Sequence, residues 1–221
     1  MNTLVIGLYT EGETDERFLL NLIPRILEKI IEEREASLDI FPLFPIKVPK
    51  NGDRAKEIML AAQSAEGYAI LIVHSDADAE TDERAFNERI KPGLDLVKNT
   101  QDEALCKDVV AIIPVQMIEA WMLADIELLI KQLGSTKTRQ ELDLMFPLKY
   151  LEKMADPKSK INQIIRMAFK DLPARKRRVN IGSLYSPLGQ QIKLDILEQL
   201  PSYLKFKENL TEALIRLNYL R

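Results

Sequence analysis

The chain carries one cysteine, Cys106, and one histidine, His74, in 221 residues. A lone cysteine excludes an internal disulfide. One thiolate and one imidazole cannot complete a four-ligand structural zinc site. Long apolar runs are also missing: charged side chains interrupt every hydrophobic stretch before the roughly 20 residues that a membrane-spanning helix needs. The opening Met1-Asn2-Thr3-Leu4-Val5-Ile6 has neither the basic segment nor the cleavage site of an export signal. No Gly-x-x-x-x-Gly-Lys-Ser/Thr segment occurs, so phosphate binding through a P-loop is excluded. Surplus positive charge is absent too. A net charge of −3 argues against coating nucleic acid by bulk charge, while leaving room for a local basic groove. Together these absences predict a cytoplasmic protein that draws any nucleotide-driven energy from a partner.

What is present is alternation. Leu4–Tyr9 is a short apolar run, read as a buried strand ending at Glu11-Gly12. Thr14 is the expected N-cap of a helix carrying Phe18, Leu19, Leu22, Ile23, Ile26, Leu27, Ile30 and Ile31 at helical spacing, with a kink expected at Pro24. Residues 38–48 form a second strand region, broken by Pro42, Pro45 and Pro49, which mark an edge or a bulged strand. Asp53 opens a helix through Ala62, and Tyr68–Val73 is the strongest strand. A helix over Asp82–Ile90, a strand over Val109–Ile113 and a helix through Ile118, Trp121, Met122 and Leu129 complete this half.

Strands separated by helices imply a mainly parallel sheet flanked by helices, an α/β fold. From about Gly134 short helical segments take over, with turns expected at Pro147, Pro157, Pro173, Pro187 and Pro201. The chain is therefore divided into an α/β domain at 1–134 and a helical C-terminal appendage at 135–221.

Acidic residues fall just after the strands: Glu11 after the first, Asp76 and Asp78 after the third, and Glu119 beyond the fourth. Parallel strands end at one edge of the sheet, where ligands bind in open α/β folds, so these carboxylates are expected to converge. Clustered carboxylates repel one another, and a divalent cation relieves the repulsion. All-oxygen ligation suits Mg²⁺ or Mn²⁺. Residues two apart in a strand point the same way, so Asp76 and Asp78 are expected to face one ion.

Glu11-Gly12-Glu13-Thr14-Asp15 followed by Asp76-Ala77-Asp78 resembles the TOPRIM (topoisomerase–primase) pattern over roughly residues 3–130. With Ile118-Glu119-Ala120-Trp121-Met122-Leu123-Ala124-Asp125, the chain is similar to an uncharacterised bacterial TOPRIM-like family related to the OLD (overcoming lysogenisation defect) nucleases. The resemblance implies a Mg²⁺- or Mn²⁺-dependent nuclease or nuclease subunit acting on nucleic acid, DNA first, in bacterial defence or DNA processing. Its partner would be a separate ABC-type or SMC-like ATPase. Glu11 would serve acid/base or metal work, Asp76 and Asp78 would bind metal, and Asp15 and Glu119 would support a second ion. Glu11, Asp76, Asp78 and Glu119 are thus the implied catalytic set. A lysine near the scissile phosphate is implied as well, with Lys158, Lys160 and Lys176 open for the part.

Each residue also has a plainer role available. Gly12 would supply an unusual φ at a turn, Asp15 would complement the helix dipole, one of the Asp pair would cap a helix, and Glu119 would be an exposed helix residue. Trp121 is read as core, and His74, alternating with Ile70 and Ile72, as a buried structural histidine. Arg175-Lys176-Arg177-Arg178 is the densest basic run. It is either solvated surface or a clamp for nucleic-acid phosphates, with Arg166 and Lys170 on one side of a preceding helix. Two other functions fit the same residues: a non-catalytic binding subunit that keeps the acidic pocket, and an unrelated aspartate-based phosphotransfer enzyme.

Overall fold

The computed structural model describes residues 3–171 and 179–221. It is an α/β protein whose strands are all parallel. The elements are β1 (Thr3–Leu4), β2 (Ile6–Tyr9), α1 (Glu13–Glu33), β3 (Asp39–Ile40), β4 (Phe44–Pro45), α2 (Arg54–Ser64), β5 (Ile70–His74), α3 (Glu83–Ala85), a π-helical turn (Phe86–Ile90), α4 (Lys91–Asn99) and β6 (Val109–Ile112). Then come α5 (Ile118–Met122), α6 (Ile126–Leu133), a 3₁₀ segment (Leu148–Lys153), α7 (Pro157–Ala168), a 3₁₀ turn (Ile181–Ser183), α8 (Tyr185–Gln191), α9 (Leu194–Leu197) and α10 (Pro201–Arg216).

The main sheet has the order β4-β2-β5-β6, and β1 pairs with β3 beside it. Register sets Tyr9 opposite Val73 and His74 opposite Ile112, so β2, β5 and β6 finish at a common edge. Alternation then sorts the side chains. Ile6, Leu8, Ile70, Ile72, Val110 and Ile112 face the α1 side, while Tyr9, Leu71 and Val73 face α2 and α4. Both faces are buried, as a parallel sheet requires.

The C-terminal helices share the α1-side core. Leu188, Tyr203, Phe206, Leu210 and Leu214 are buried in one cluster with Phe18, Leu22 and Ile26. α8 crosses α1 at backbone distance: a Cβ on Gly189 would lie 2.3 Å from the Phe18 carbonyl oxygen, so only glycine fits. Arg25 of α1 secures the crossing by donating to the carbonyls of Gly189 (2.9 Å) and Ile192 (2.6 Å). Those carbonyls at the end of α8 have no helical partner of their own.

Several local expectations need correction. The N-cap of α1 is Gly12, not Thr14, and its φ of −135° is ordinary extended backbone. A Cβ there would meet only the end of the Asp15 side chain, 2.9 Å from Oδ2. α1 continues through Pro24. The strand region at 38–48 contains two two-residue strands, and β4 lies at the sheet edge, where proline is tolerated. Pro157 and Pro201 begin helices rather than turns, at the position where a missing N–H costs nothing. The helix predicted over Asp82–Ile90 is broken into α3 and a π turn that leads into α4. The helix expected through Leu129 is two helices, with Asp125 capping the second by accepting from Leu128 N–H at 3.1 Å. Among the described residues no helix is long and apolar enough to cross a membrane.

Candidate metal centre

Glu11 follows β2 and Asp76 follows β5, so both stand at the carboxyl edge of the sheet. Asp15 lies in the first turn of α1 and Glu119 in the first turn of α5. Both are buried, at 8% and 3% exposure, which is unusual for carboxylates. Four elements thus deliver Glu11, Asp15, Asp76 and Glu119 to one place.

Each carboxylate is held. Ser75 Oγ donates to Glu11 Oε1 at 2.6 Å. The Ile118 N–H donates to Asp76 Oδ1 at 3.0 Å, tying the loop after β5 to the start of α5. Glu119 Oε1 accepts from the Tyr185 hydroxyl on α8 and lies 3.7 Å from Lys158 Nζ on α7. Among the described residues, no hydrogen bond takes the second oxygen of Glu11, Asp76 or Glu119. Asp15 packs against Gly12, where a Cβ would come within 2.9 Å of Asp15 Oδ2.

The electrostatics match this crowding. Burial pushes the Asp15 carboxyl up to about 6, and the charges of Asp76, Glu119 and Glu11 add to the rise while His74 opposes it. Burial pulls the His74 imidazole down, but Asp76, Asp15 and Glu11 together outweigh it and hold it above its usual value. The Tyr185 hydroxyl is raised by burial and by its bond to Glu119.

Asp78 is placed differently. β5 ends at His74, and Asp78 has a left-handed φ of 50°, so strand alternation no longer governs the Asp pair. Its carboxylate is mostly exposed and meets Arg89 of the π turn at 2.9 Å. Arg89 also donates to the carbonyls of Asp76 (2.6 Å) and Ala77 (2.9 Å) and lies 3.9 Å from Glu11. It bridges the exposed Asp78 and the inner carboxylates. With these bonds made, no group of three or more His, Cys, Asp or Glu side chains among the described residues is gathered closely enough to hold an ion as it stands.

The donor set nevertheless fits a hard divalent cation. Four carboxylates offer the oxygen ligands such ions take, and like charges separate when no cation offsets them. His74 supplies a further observation. It is fully buried at the end of β5, with Nε2 3.3 Å from Asp76 Oδ1, and among the described residues neither ring nitrogen makes a hydrogen bond. Buried polar atoms are rarely left so.

Cations missed by the sequence reading ring the site. Arg89 gave no signal inside a predicted helix. Lys50, after β4, donates to the Glu11 carbonyl. Arg54 donates to the His74 carbonyl at 2.5 Å and lies 4.6 Å from the centre of the Tyr9 ring. Tyr9 in turn donates to Glu57 Oε2 at 2.8 Å, which braces the ends of β2 and β5. Of the three lysines named from sequence, Lys158 stands at Glu119, while Lys160 pairs with Asp143. Lys176 lies outside the described residues, as does the whole run Arg175, Lys176, Arg177 and Arg178. Arg166 lies in the last turn of α7 and Lys170 beyond its end. Trp121 is core: it is fully buried, donates to Ser202 Oγ at 2.9 Å and meets the Tyr203 ring edge-on.

Fold and site together define an α/β protein with a carboxylate cluster at the carboxyl edge of a parallel sheet. The chain belongs to the family described as "Domain of unknown function (DUF4276)", whose model matches residues 10–176, well over half its length. That span contains Glu11, Asp15, Asp76, Asp78, Glu119 and Lys158. No curated protein and no solved structure gave a significant match.

Proposed function

We propose that this chain is a divalent-metal-dependent nuclease or nuclease subunit that cleaves phosphodiester bonds in nucleic acid, DNA foremost. The observation that carries the reading is the convergence of Glu11 and Asp76, from adjacent parallel strands, with the buried Asp15 and Glu119. The resemblance of Glu11–Asp15 and Asp76–Asp78 to the TOPRIM and OLD-like pattern supports the same chemistry.

Glu11, Asp15, Asp76 and Glu119 would hold Mg²⁺ or Mn²⁺, with Asp78 at the exposed rim. Such an ion supplies an activated water and charge stabilisation at the leaving oxygen. The protein's own groups do the rest. Lys158, 3.7 Å from Glu119, and Arg89, 2.9 Å from Asp78, would receive phosphate oxygens, which a carboxylate cluster alone would repel. Ser75 and Tyr185 fix the orientation of Glu11 and Glu119. Arg175–Arg178 would extend the phosphate-binding surface along a longer strand. Energy coupling would come from a separate ABC-type or SMC-like ATPase, in bacterial defence or DNA processing within the cytoplasm.

The test pairs calorimetry with cleavage. Wild type should bind Mn²⁺ and cut supercoiled DNA, linear DNA or RNA with Mg²⁺ or Mn²⁺, and Asp76→Ala should lose both activities while remaining folded. Equal cleavage by Asp76→Ala would sink the reading. A second reading, a non-catalytic binding subunit, draws on Arg89 already spanning Asp78 and Glu11. Mn²⁺ binding without cleavage, alone and with the ATPase, would select it.

A further inference from the structure

The carboxylates account for a hard oxygen site, but His74 does not belong to that chemistry. It occupies the last position of β5, two residues before Asp76. Alternation along β5 turns it to the α1 face with Ile70 and Ile72, the face from which Asp15 approaches. Its side chain is wholly inaccessible, and among the described residues both ring nitrogens lack hydrogen-bond partners. Its carbonyl, by contrast, is fixed by Arg54.

Asp76 Oδ1 lies 3.3 Å from Nε2. The same oxygen accepts from the Ile118 N–H at 3.0 Å, which fixes its position. The spacing has another meaning. Two donors each about 2.1 Å from one ion, at the angles of tetrahedral or octahedral coordination, stand about 3.0–3.4 Å apart. Nε2 and Asp76 Oδ1 are separated as two ligands of one ion are.

We infer that His74 is a nitrogen ligand of the candidate centre, which makes it a mixed imidazole–carboxylate site selective for Mn²⁺ or a later first-row transition ion over Mg²⁺. The inference rests on the metal-site reading above and adds the identity of the ion. Oxygen-only sites suit Mg²⁺, whereas an imidazole favours transition ions. The competing role for His74 is a fixed imidazolium that offsets the carboxylates. That is the form the carboxylates favour while no cation is bound, and an ion would have to displace its proton to be ligated.

His74 is the single histidine of the chain, which permits a direct test. Untagged protein loaded with Mn²⁺ should show imidazole nitrogen coupling in pulsed electron paramagnetic resonance, and the coupling can only come from His74. His74→Gln should lose the coupling and weaken Mn²⁺ and Co²⁺ binding at least about tenfold. Mg²⁺ affinity should change about threefold or less. Wild-type protein that binds Mn²⁺ without nitrogen coupling would overturn the inference and leave the carboxylate site standing. Wild-type protein that binds no Mn²⁺ would overturn both. If His74→Gln does not fold, the wild-type spectrum still decides.

Discussion

The backbone N–H of Asp78 donates to the carbonyl of Gln116 at 2.8 Å, and both residues are left-handed, with φ of 50° and 58°. Gln116 N–H returns a bond to the Ala79 carbonyl at 3.1 Å. The loops after β5 and β6 thus continue the pairing of their strands through two backbone positions that side-chain-bearing residues seldom adopt. Such conformations persist where surrounding bonds over-determine them, and they gather at functional sites.

The Gln116 backbone should therefore be sensitive to branching at Cβ. Gln116→Val is expected to lower unfolding free energy by about 1–3 kcal/mol, because a branched residue resists this φ. Gln116→Gly should stay within about 1 kcal/mol of wild type. Urea denaturation of both variants settles the matter, and a Val variant as stable as the Gly variant would remove strain from the account.

Asp15 predicts a dependence on pH. Its carboxyl titrates at about 6 in the folded protein, against 3.8 for the free group. The native state therefore keeps a proton that the unfolded chain has released, so stability falls as pH rises through the window from about 4 to about 6. Asp15→Asn removes the titration. In EDTA at pH 7 it should be the more stable protein by about 1–3 kcal/mol. Saturating Mn²⁺ should reverse the order, since the carboxylate then has a partner. Equal stability of the two proteins at pH 4 and pH 7 in EDTA would show that Asp15 carries no buried charge.

Gly12 links the turn to the cluster. A Cβ there would stand 2.9 Å from Asp15 Oδ2. The obstacle is the end of a side chain, so Gly12→Ala should move Asp15 rather than break α1. The expected result is a change in unfolding free energy of less than about 1 kcal/mol. Mn²⁺ affinity should drop about tenfold, as when a ligand loses its support. Calorimetry showing wild-type affinity would mean that Asp15 does not ligate.

These relationships differ in how far the sequence discloses them. Periodicity exposes the parallel α/β frame, because β2 and β5 are apolar on both faces and α1 carries a full apolar stripe. Glu11, Asp76 and Glu119 are legible because a strand end is visible as the close of an apolar run. Arg89 is not: it reaches Asp78 through a π turn, and a one-residue widening of a helix leaves no periodic mark. Tyr185 meets Glu119 from 66 residues away through the crossing of α8 on α1, a tertiary contact that no local pattern encodes. The cap at Gly12 was hidden for another reason. Thr14 has the better capping chemistry, but α1 begins at Glu13 with Gly12 at the cap and no side-chain capping bond.

Arg89 should couple metal and nucleic acid with opposite signs. Its guanidinium lies 2.9 Å from Asp78 Oδ2 and 3.9 Å from Glu11 Oε1, so it opposes an incoming cation electrostatically. On the proposed function, the same charge would take a phosphate once a cation holds the carboxylates. Arg89→Met keeps the apolar stem and removes the charge. It should tighten Mn²⁺ several-fold. It should also weaken DNA binding measured with Mn²⁺ present and lower the salt slope by about one unit. Neutralising Arg175, Lys176, Arg177 and Arg178 together should act on only one side of this balance, reducing DNA affinity and slope while leaving Mn²⁺ affinity unchanged. If Arg89 only clasps the Asp76 and Ala77 carbonyls, Arg89→Met would loosen the loop and weaken both ligands together. Parallel losses in the two titrations would therefore reject the coupling.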